Sequence, residues 1–338
     1  MTPQLISVSR RTDIPAFYGD WLLRRVAAGF AGWENPFGGQ RRLVSLRRGD
    51  VSVLAFWSKN FRPFLPHLRT LQALGYPCFF NYTITGLPPL LEPHGVPAED
   101  AVDSLRELAG RFSPGHIHWR YDPIVLSDLT PPAYHRARFT ALAAALAGCT
   151  TRCIVSFVWR YRRVERRFAA LAREHGLRVA APDLAARRAL ADDLASIAAA
   201  HGMELLACCG DDLVSGRVGR ACCLDGAQMA RLYPGTPWCA APRPSRPGCG
   251  CARNVDIGRY DTCPHGCAYC YANADPQRAA AACRAHDPDA AFLGMSREEA
   301  DRCVAELQAA GGGQRRGGAQ PELPLDGAGA REPTPRRA

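Results

Sequence analysis

Short apolar runs recur along the first two thirds of the chain, and a longer stretch of helical character follows most of them. The runs LISVS (5–9), VSVLAFW (51–57), CFFNYTI (78–84), HIHWR (116–120), CIVSFVW (153–159) and MELLAC (203–208) predict buried strands. Residues 19–30, 62–74, 98–111, 132–147, 161–174 and 185–201 predict the helices between them. Alternation at this spacing implies parallel βαβ units. Six such units fit an α/β fold of partial (βα) barrel type, TIM-like, better than a doubly wound sheet. No GxGxxG follows the first strand, as a dinucleotide fold would require. The barrel is expected over residues 1–231. Residues 232–262 carry Pro, Gly and Cys without helical periodicity, so 232–308 is expected to be a cysteine-rich, cluster-binding segment packed on the barrel. Low-complexity sequence after that predicts a disordered tail over 309–338.

Composition adds a class and a charge. Of 338 residues, 47% are hydrophobic and 22% charged, as in a soluble globular protein. No window approaches the roughly 18 unbroken apolar residues of a membrane helix. The start MTPQLISVSRRTD lacks the build of a secretory signal. A cytoplasmic protein with no membrane partner is therefore expected. The net charge of +10 comes almost wholly from arginine. It favours an anionic partner such as nucleic acid or phosphate, although a GC-rich genome also enriches arginine.

In parallel barrels the chemistry sits in the loops after the strands, and polar clusters fall there. SRRTDIP (9–15) follows the first strand, WSKN (57–60) the second and WRYDP (119–123) the fourth. They nominate Arg10, Arg11, Asp13, Lys59, Arg120 and Asp122 as mouth residues. The alternative is that Arg–Asp pairs simply close the barrel. Lys59 is the only lysine, and arginine cannot replace a compact ammonium where one is needed. His118 and His135 read as structural groups, and His265, within the cysteine loop, as a donor that supports the ligands.

Fifteen cysteines in a cytosolic chain argue against disulfides. Cys78, Cys149 and Cys153 sit in or beside apolar runs and read as small buried hydrophobes. Cys263, Cys267 and Cys270 form a CxxxCxYC loop. Three soft thiolates on a short loop suit a [4Fe–4S] cluster with one iron left open, whereas zinc more naturally takes two CxxC pairs. Four further thiolates, drawn from the pairs 208/209 and 222/223 with Cys249 and Cys251, would hold a second cluster. Alternatively, Cys249 or Cys251 is the fourth ligand of the first.

The loop CPHGCAYCYA resembles the cluster loop of spore photoproduct lyase-type radical S-adenosylmethionine (SAM) proteins. The series SVSRRTDIPAFY, FWSKN, WRYDPI, SF, CxC and DIGRYDTCPHGCAYCYAN, spanning about residues 4–275, resembles an uncharacterised bacterial family, domain of unknown function 1848. That family pattern favours Cys209 and Cys223 within their pairs. The radical SAM likeness implies SAM at the open iron, with Arg10, Arg11, Asp13 and Tyr269 near it, and Lys59, Arg120 and Asp122 near the substrate. It implies a lyase or transferase supplied by a flavodoxin or ferredoxin, acting on nucleic acid in repair or modification. The loop departs from that pattern by following the last strand instead of the first. The competing expectations are a non-catalytic iron–sulfur protein with a structural or electron-transfer cluster and a zinc-stabilised nucleic-acid binder. In the tail, Gln320, Leu323 and Leu325 resemble the QxxLxL peptide that docks on a sliding clamp.

Overall fold

The computed structural model describes residues 2–36, 38–236 and 248–310. In chain order the strands are β1 (Gln4–Val8), β2 (Phe30–Glu34), β3 (Arg41–Ser45), β4 (Val51–Ser58), β5 (Cys78–Thr83), β6 (Ile117–Ile124), β7 (Arg152–Phe157), β8 (Glu204–Ala207), β9 (Val218–Arg220) and β10 (Asn254–Asp256). The α-helices are α1 (Ile14–Phe17), α2 (Gly19–Ala28), α3 (Leu65–Ala73), α4 (Ala98–Arg111), α5 (Pro132–Leu146), α6 (Arg162–His175), α7 (Leu184–Ala200), α8 (Gly226–Leu232), α9 (Pro276–Arg284) and α10 (Arg297–Ala309).

Eight strands form one sheet in the order β10-β1-β4-β5-β6-β7-β8-β9, and every pairing in it is parallel. This is a barrel-like (βα) arrangement. Strands buried on both faces read as continuous apolar runs, as in β4, where only Trp57 is partly exposed. Alternate residues serve the two faces. Leu54 and Phe56 of β4 and Phe80 of β5 pack towards the helices in the main core. Val53, Ala55, Phe79 and Ile154 point the other way, into the barrel interior.

Chain that follows β9 fills that interior. Cys223, Leu224 and Met229 pack with Leu5, Val53, Phe79 and Ile154. The Ala252 N–H donates to the Leu224 carbonyl at 3.0 Å, tying this filling to the approach to β10. The antiparallel hairpin β2–β3 lies outside the large sheet. Its Gly32 N–H donates to the Ala291 carbonyl at 2.8 Å, and Phe30 and Leu43 pack against Phe292 and Met295.

The six strands expected from sequence coincide with β1, β4, β5, β6, β7 and β8. The expected cluster-binding segment is corrected. Residues from this stretch build β10, which extends the sheet beside β1 with Ser7 opposite Asp256. Cys208, Cys223 and Cys251 are packed side chains of the interior. The expected disordered tail began at 309, but Ala309 ends α10; residues 311–338, with Gln320, Leu323 and Leu325, lie outside the described residues. No helix among the described residues is long and apolar enough to cross a membrane.

The β1–β10 join is closed by the carboxylate of Asp256, which is 5% exposed. It accepts hydrogen bonds from Ser7 Oγ at 2.9 Å, from Ser9 Oγ, from the Arg10 N–H at 2.8 Å and from the Gly258 N–H at 3.0 Å. Gly258 is required by this closeness, because a Cβ there would lie 2.6 Å from Ser9 Cβ and closer still to Ser9 Oγ. Gly258→Ala is therefore expected to lower stability by about 1–3 kcal/mol through overpacking, measured by urea unfolding. An unchanged midpoint would contradict this packing.

Candidate functional site at the barrel mouth

The C-terminal ends of the parallel strands bring distant polar segments together. Arg10, Arg11 and Asp13 follow β1, Lys59 follows β4, and Thr85 and Glu92 follow β5. Arg120 and Asp122 close β6, Ser156 lies at the end of β7, and residues 257–273 follow β10. All six mouth residues nominated from sequence reach this end of the barrel, and each has partners there.

Lys59 Nζ donates to Glu92 Oε1 at 2.9 Å, which also accepts from Thr85 Oγ1 at 2.6 Å and Tyr269 Oη at 2.5 Å. Burial opposes both charges, but each outweighs it for the other. The Lys59 pKa is raised, while Lys59, Thr85 and Tyr269 hold Glu92 below the usual carboxylate range. A small polar pocket lined by Lys59, Thr83, Thr85 and Glu92 adjoins them. Asp13 caps α1 through the Ala16 N–H at 3.0 Å and accepts from the Lys59 N–H at 2.8 Å. His265 Nε2 lies 2.8 Å from the same carboxylate, and its Nδ1 lies 3.1 Å from the His94 carbonyl.

These contacts lay the CxxxCxYC loop across the mouth. Arg167 of α6 secures its far side by donating to the carbonyls of Ala268 at 2.9 Å, Asn273 at 3.0 Å and Cys270. Asn273 Nδ2 donates to the Cys263 carbonyl at 2.6 Å. Deeper in the mouth, Arg120 pairs with Asp122 and donates to Cys223 Sγ at 2.9 Å. Ser156 Oγ donates to Asp122. The Arg120 and Arg10 guanidiniums lie 4.9 and 5.9 Å from the Trp57 ring centre.

The iron–sulfur expectations do not survive this geometry. Among the described residues no three or more His, Cys, Asp or Glu side chains are grouped so that they could hold a metal ion. Cys263, Cys267 and Cys270 are therefore not assigned a [4Fe–4S] cluster, nor Cys209, Cys223, Cys249 and Cys251 a second one. The zinc alternative falls with them. Burial pushes the Cys267 thiol up to about 12 and raises Cys263 well above the usual thiol value, while the neighbouring Cys208 and Cys251 thiols, with burial, raise Cys223. Without the cluster there is no open iron for SAM, so the expected radical SAM lyase or transferase is likewise corrected. Arg10 is held instead by Asp256 and Asn254, and Tyr269 by Glu92 and Lys59.

Sequence reasoning missed a row of aromatic rings on the outer rim. Trp159, Tyr161 and Tyr271 are 49%, 40% and 39% exposed. Ring centres are 6.4 Å apart for Trp159–Tyr161, 6.0 Å for Tyr161–Tyr271 and 6.4 Å for Tyr271–Tyr260, and none of these pairs is a face-to-face stack. Arginines run beside the row. Arg11 lies over Tyr260 at 5.6 Å, Arg163 donates to the Tyr271 carbonyl at 2.9 Å, and Tyr271 Oη donates to the Arg10 carbonyl at 2.9 Å. Arg162 and Arg166 of α6 are exposed alongside. The alternation Trp159-Arg160-Tyr161-Arg162-Arg163 directly after a strand is the signal that could have found it.

The sequence profile of the family named Domain of unknown function (DUF1848) matches residues 5–272, and the chain belongs to that family. No curated protein matches it. The matched span runs from β1 through the aromatic row and ends just beyond Tyr271.

Glu92→Gln leaves the Lys59 ammonium buried without its counter-ion and is expected to cost about 3–5 kcal/mol. Lys59→Met in the same chain should recover a large part of that loss, as read in a urea double-mutant cycle. Because Glu92 is held low, its contribution is complete above its unfolded value of about 4.3 and is lost as pH falls through the lower folded value. The Glu92→Gln chain should accordingly lose less stability between neutral pH and pH 3 than the parent. Equal acid slopes would refute this assignment.

Proposed function

We propose that the barrel mouth binds single-stranded nucleic acid, with bases stacking on Trp159, Tyr161 and Tyr271 and phosphates meeting the neighbouring arginines. The observation that carries this reading is the exposed aromatic row interleaved with Arg11, Arg162, Arg163 and Arg166 at the C-terminal end of a parallel barrel. Base–aromatic stacking is sequence-tolerant because every base has a π-face, and arginine adds both phosphate contact and planar stacking. The net charge of +10 supports the same kind of partner. Duplex bases keep their faces buried in their own stack, so single strands are the matched form.

The inner mouth favours this reading over a bare cation patch. Lys59, Arg120 and Arg10 are compensated by Glu92, Asp122 and Asp256. Lys59, through Tyr269, and Arg10, whose carbonyl accepts from Tyr271 Oη, hold the loop after β10 in position before any ligand arrives. Cytoplasmic placement and a sliding-clamp contact through the tail stay part of this proposal, since a clamp partner would bring the chain to DNA.

Fluorescence anisotropy with a labelled oligothymidylate and the full chain tests the proposal. Trp159→Ala, Tyr161→Ala and Tyr271→Ala should each weaken binding by about 1–3 kcal/mol, the value of one stacked base. Affinity should also fall steeply with salt and be lower for the corresponding duplex. No binding by the parent chain, or alanine variants that bind as tightly as the parent, would overturn it.

A further inference from the structure

Six cysteines gather where β8, the chain after β9 and the approach to β10 meet. Cys208 Sγ lies 3.4 Å from Cys223 Sγ and 3.8 Å from Cys209 Sγ. Cys251 packs in the same buried cluster as Cys208 and Cys223, with Cys249 against it. Cys208, Cys223 and Cys251 are 7%, 3% and 4% exposed, while Cys249 is half-buried. Gly250, between the last two, permits the approach, since a Cβ there would lie 2.7 Å from Cys222 Sγ. The thiols thus form a packed series from the partly exposed Cys249 through Cys251 and Cys223 to the buried Cys208.

We infer that this series is a thiol–disulfide exchange relay, whose oxidant is a low-molecular-weight disulfide and whose end product is a Cys208–Cys223 disulfide. Exchange proceeds by attack of a thiolate on a disulfide sulfur, so it requires neighbouring sulfurs and one accessible entry thiol. The Cys249 thiolate attacks the external disulfide, forming a mixed disulfide and releasing one small thiolate. Cys251 attacks Cys249 sulfur and expels the second small thiolate. Cys223 then attacks Cys251, freeing Cys249, and Cys208 attacks Cys223, freeing Cys251. Each step breaks one S–S bond and forms another. In sum, two protein thiols lose two electrons and two protons, and the external disulfide becomes two small thiols.

Two features favour the inner pair as the end point. Arg120 Nη1 donates to Cys223 Sγ at 2.9 Å, setting a positive charge beside the attacking sulfur that offsets part of the rise caused by the neighbouring thiols and burial. Closing 3.4 Å to the roughly 2.05 Å of a disulfide needs only a small rotation of two side chains. The product would join the end of β8 to the chain after β9, beneath the mouth. The inference does not depend on nucleic-acid binding.

The test incubates the reduced full chain with oxidised glutathione, quenches by alkylation, and maps linkages by mass spectrometry with fragmentation that separates Cys208 from Cys209. The expected end product is a Cys208–Cys223 linkage. Cys249→Ser should slow its formation by about tenfold or more, because the entry thiol is lost. Cys208→Ser should leave the linkage at Cys223–Cys251. Recovery of Cys208 and Cys223 fully reduced, or glutathione adducts only on cysteines outside this group, would overturn the inference on the parent chain alone.

Discussion

The structure turns on one buried carboxylate. Asp256 lies at the join between the first and last strands of the sheet, where a charge removed from water must be fully compensated. Burial opposes its ionisation, but Arg10, Arg11 and the donors from Ser9 and the Arg10 backbone outweigh that and hold its pKa below the usual range. The same donors fix what flanks the join. Arg10 and Arg11 leave β1 at a set angle, and the Gly258 N–H turns the chain after β10 back over the mouth. A three-residue strand has little ladder of its own. Asp256 supplies the specificity of pairing that β10 lacks in length.

From that join the loop through Tyr271 is stitched to the rest of the mouth at points far apart in the sequence. Asp13 meets His265, the Lys59–Glu92 pair meets Tyr269, and Arg167 holds three loop carbonyls. Ordering this loop in advance removes an entropic cost from ligand binding. The charges that do the stitching are neutralised internally, so the groups offered outward are aromatic faces and the arginines of α6. Beneath them, the contact between Arg120 and Cys223 links the mouth to the thiol series.

Much of the barrel was legible because strands buried on both faces leave a continuous apolar signature. Phe79 and Phe80 illustrate this, one facing the interior and the other the helices. β9 and β10 were not legible, since three residues carry no periodicity and their sequences are polar or mixed. The clusters SRRTD, WSKN and WRYDP marked the end of the barrel where the polar groups gather. Their partners Glu92, Asp256 and His265 stand 33 to 252 positions away from the groups they hold, beyond what any local pattern encodes. The cysteine loop misled for a related reason. Spacing brings thiols near one another along the chain, but it does not state whether they converge on a point that could hold a metal, which those of the described residues do not. The Trp-Arg-Tyr-Arg-Arg stretch was readable and was passed over as the end of a strand and the start of a helix.

Ultraviolet crosslinking of the full chain to a short oligothymidylate, with peptide mapping of the adducts, probes the mouth most directly. Stacked bases react with the rings they cover, so adducts should concentrate on Trp159, Tyr161 and Tyr271. Adducts spread over the outward faces of α4, α5 and α7, with these three rings unmodified, would contradict a nucleic-acid site at the barrel mouth.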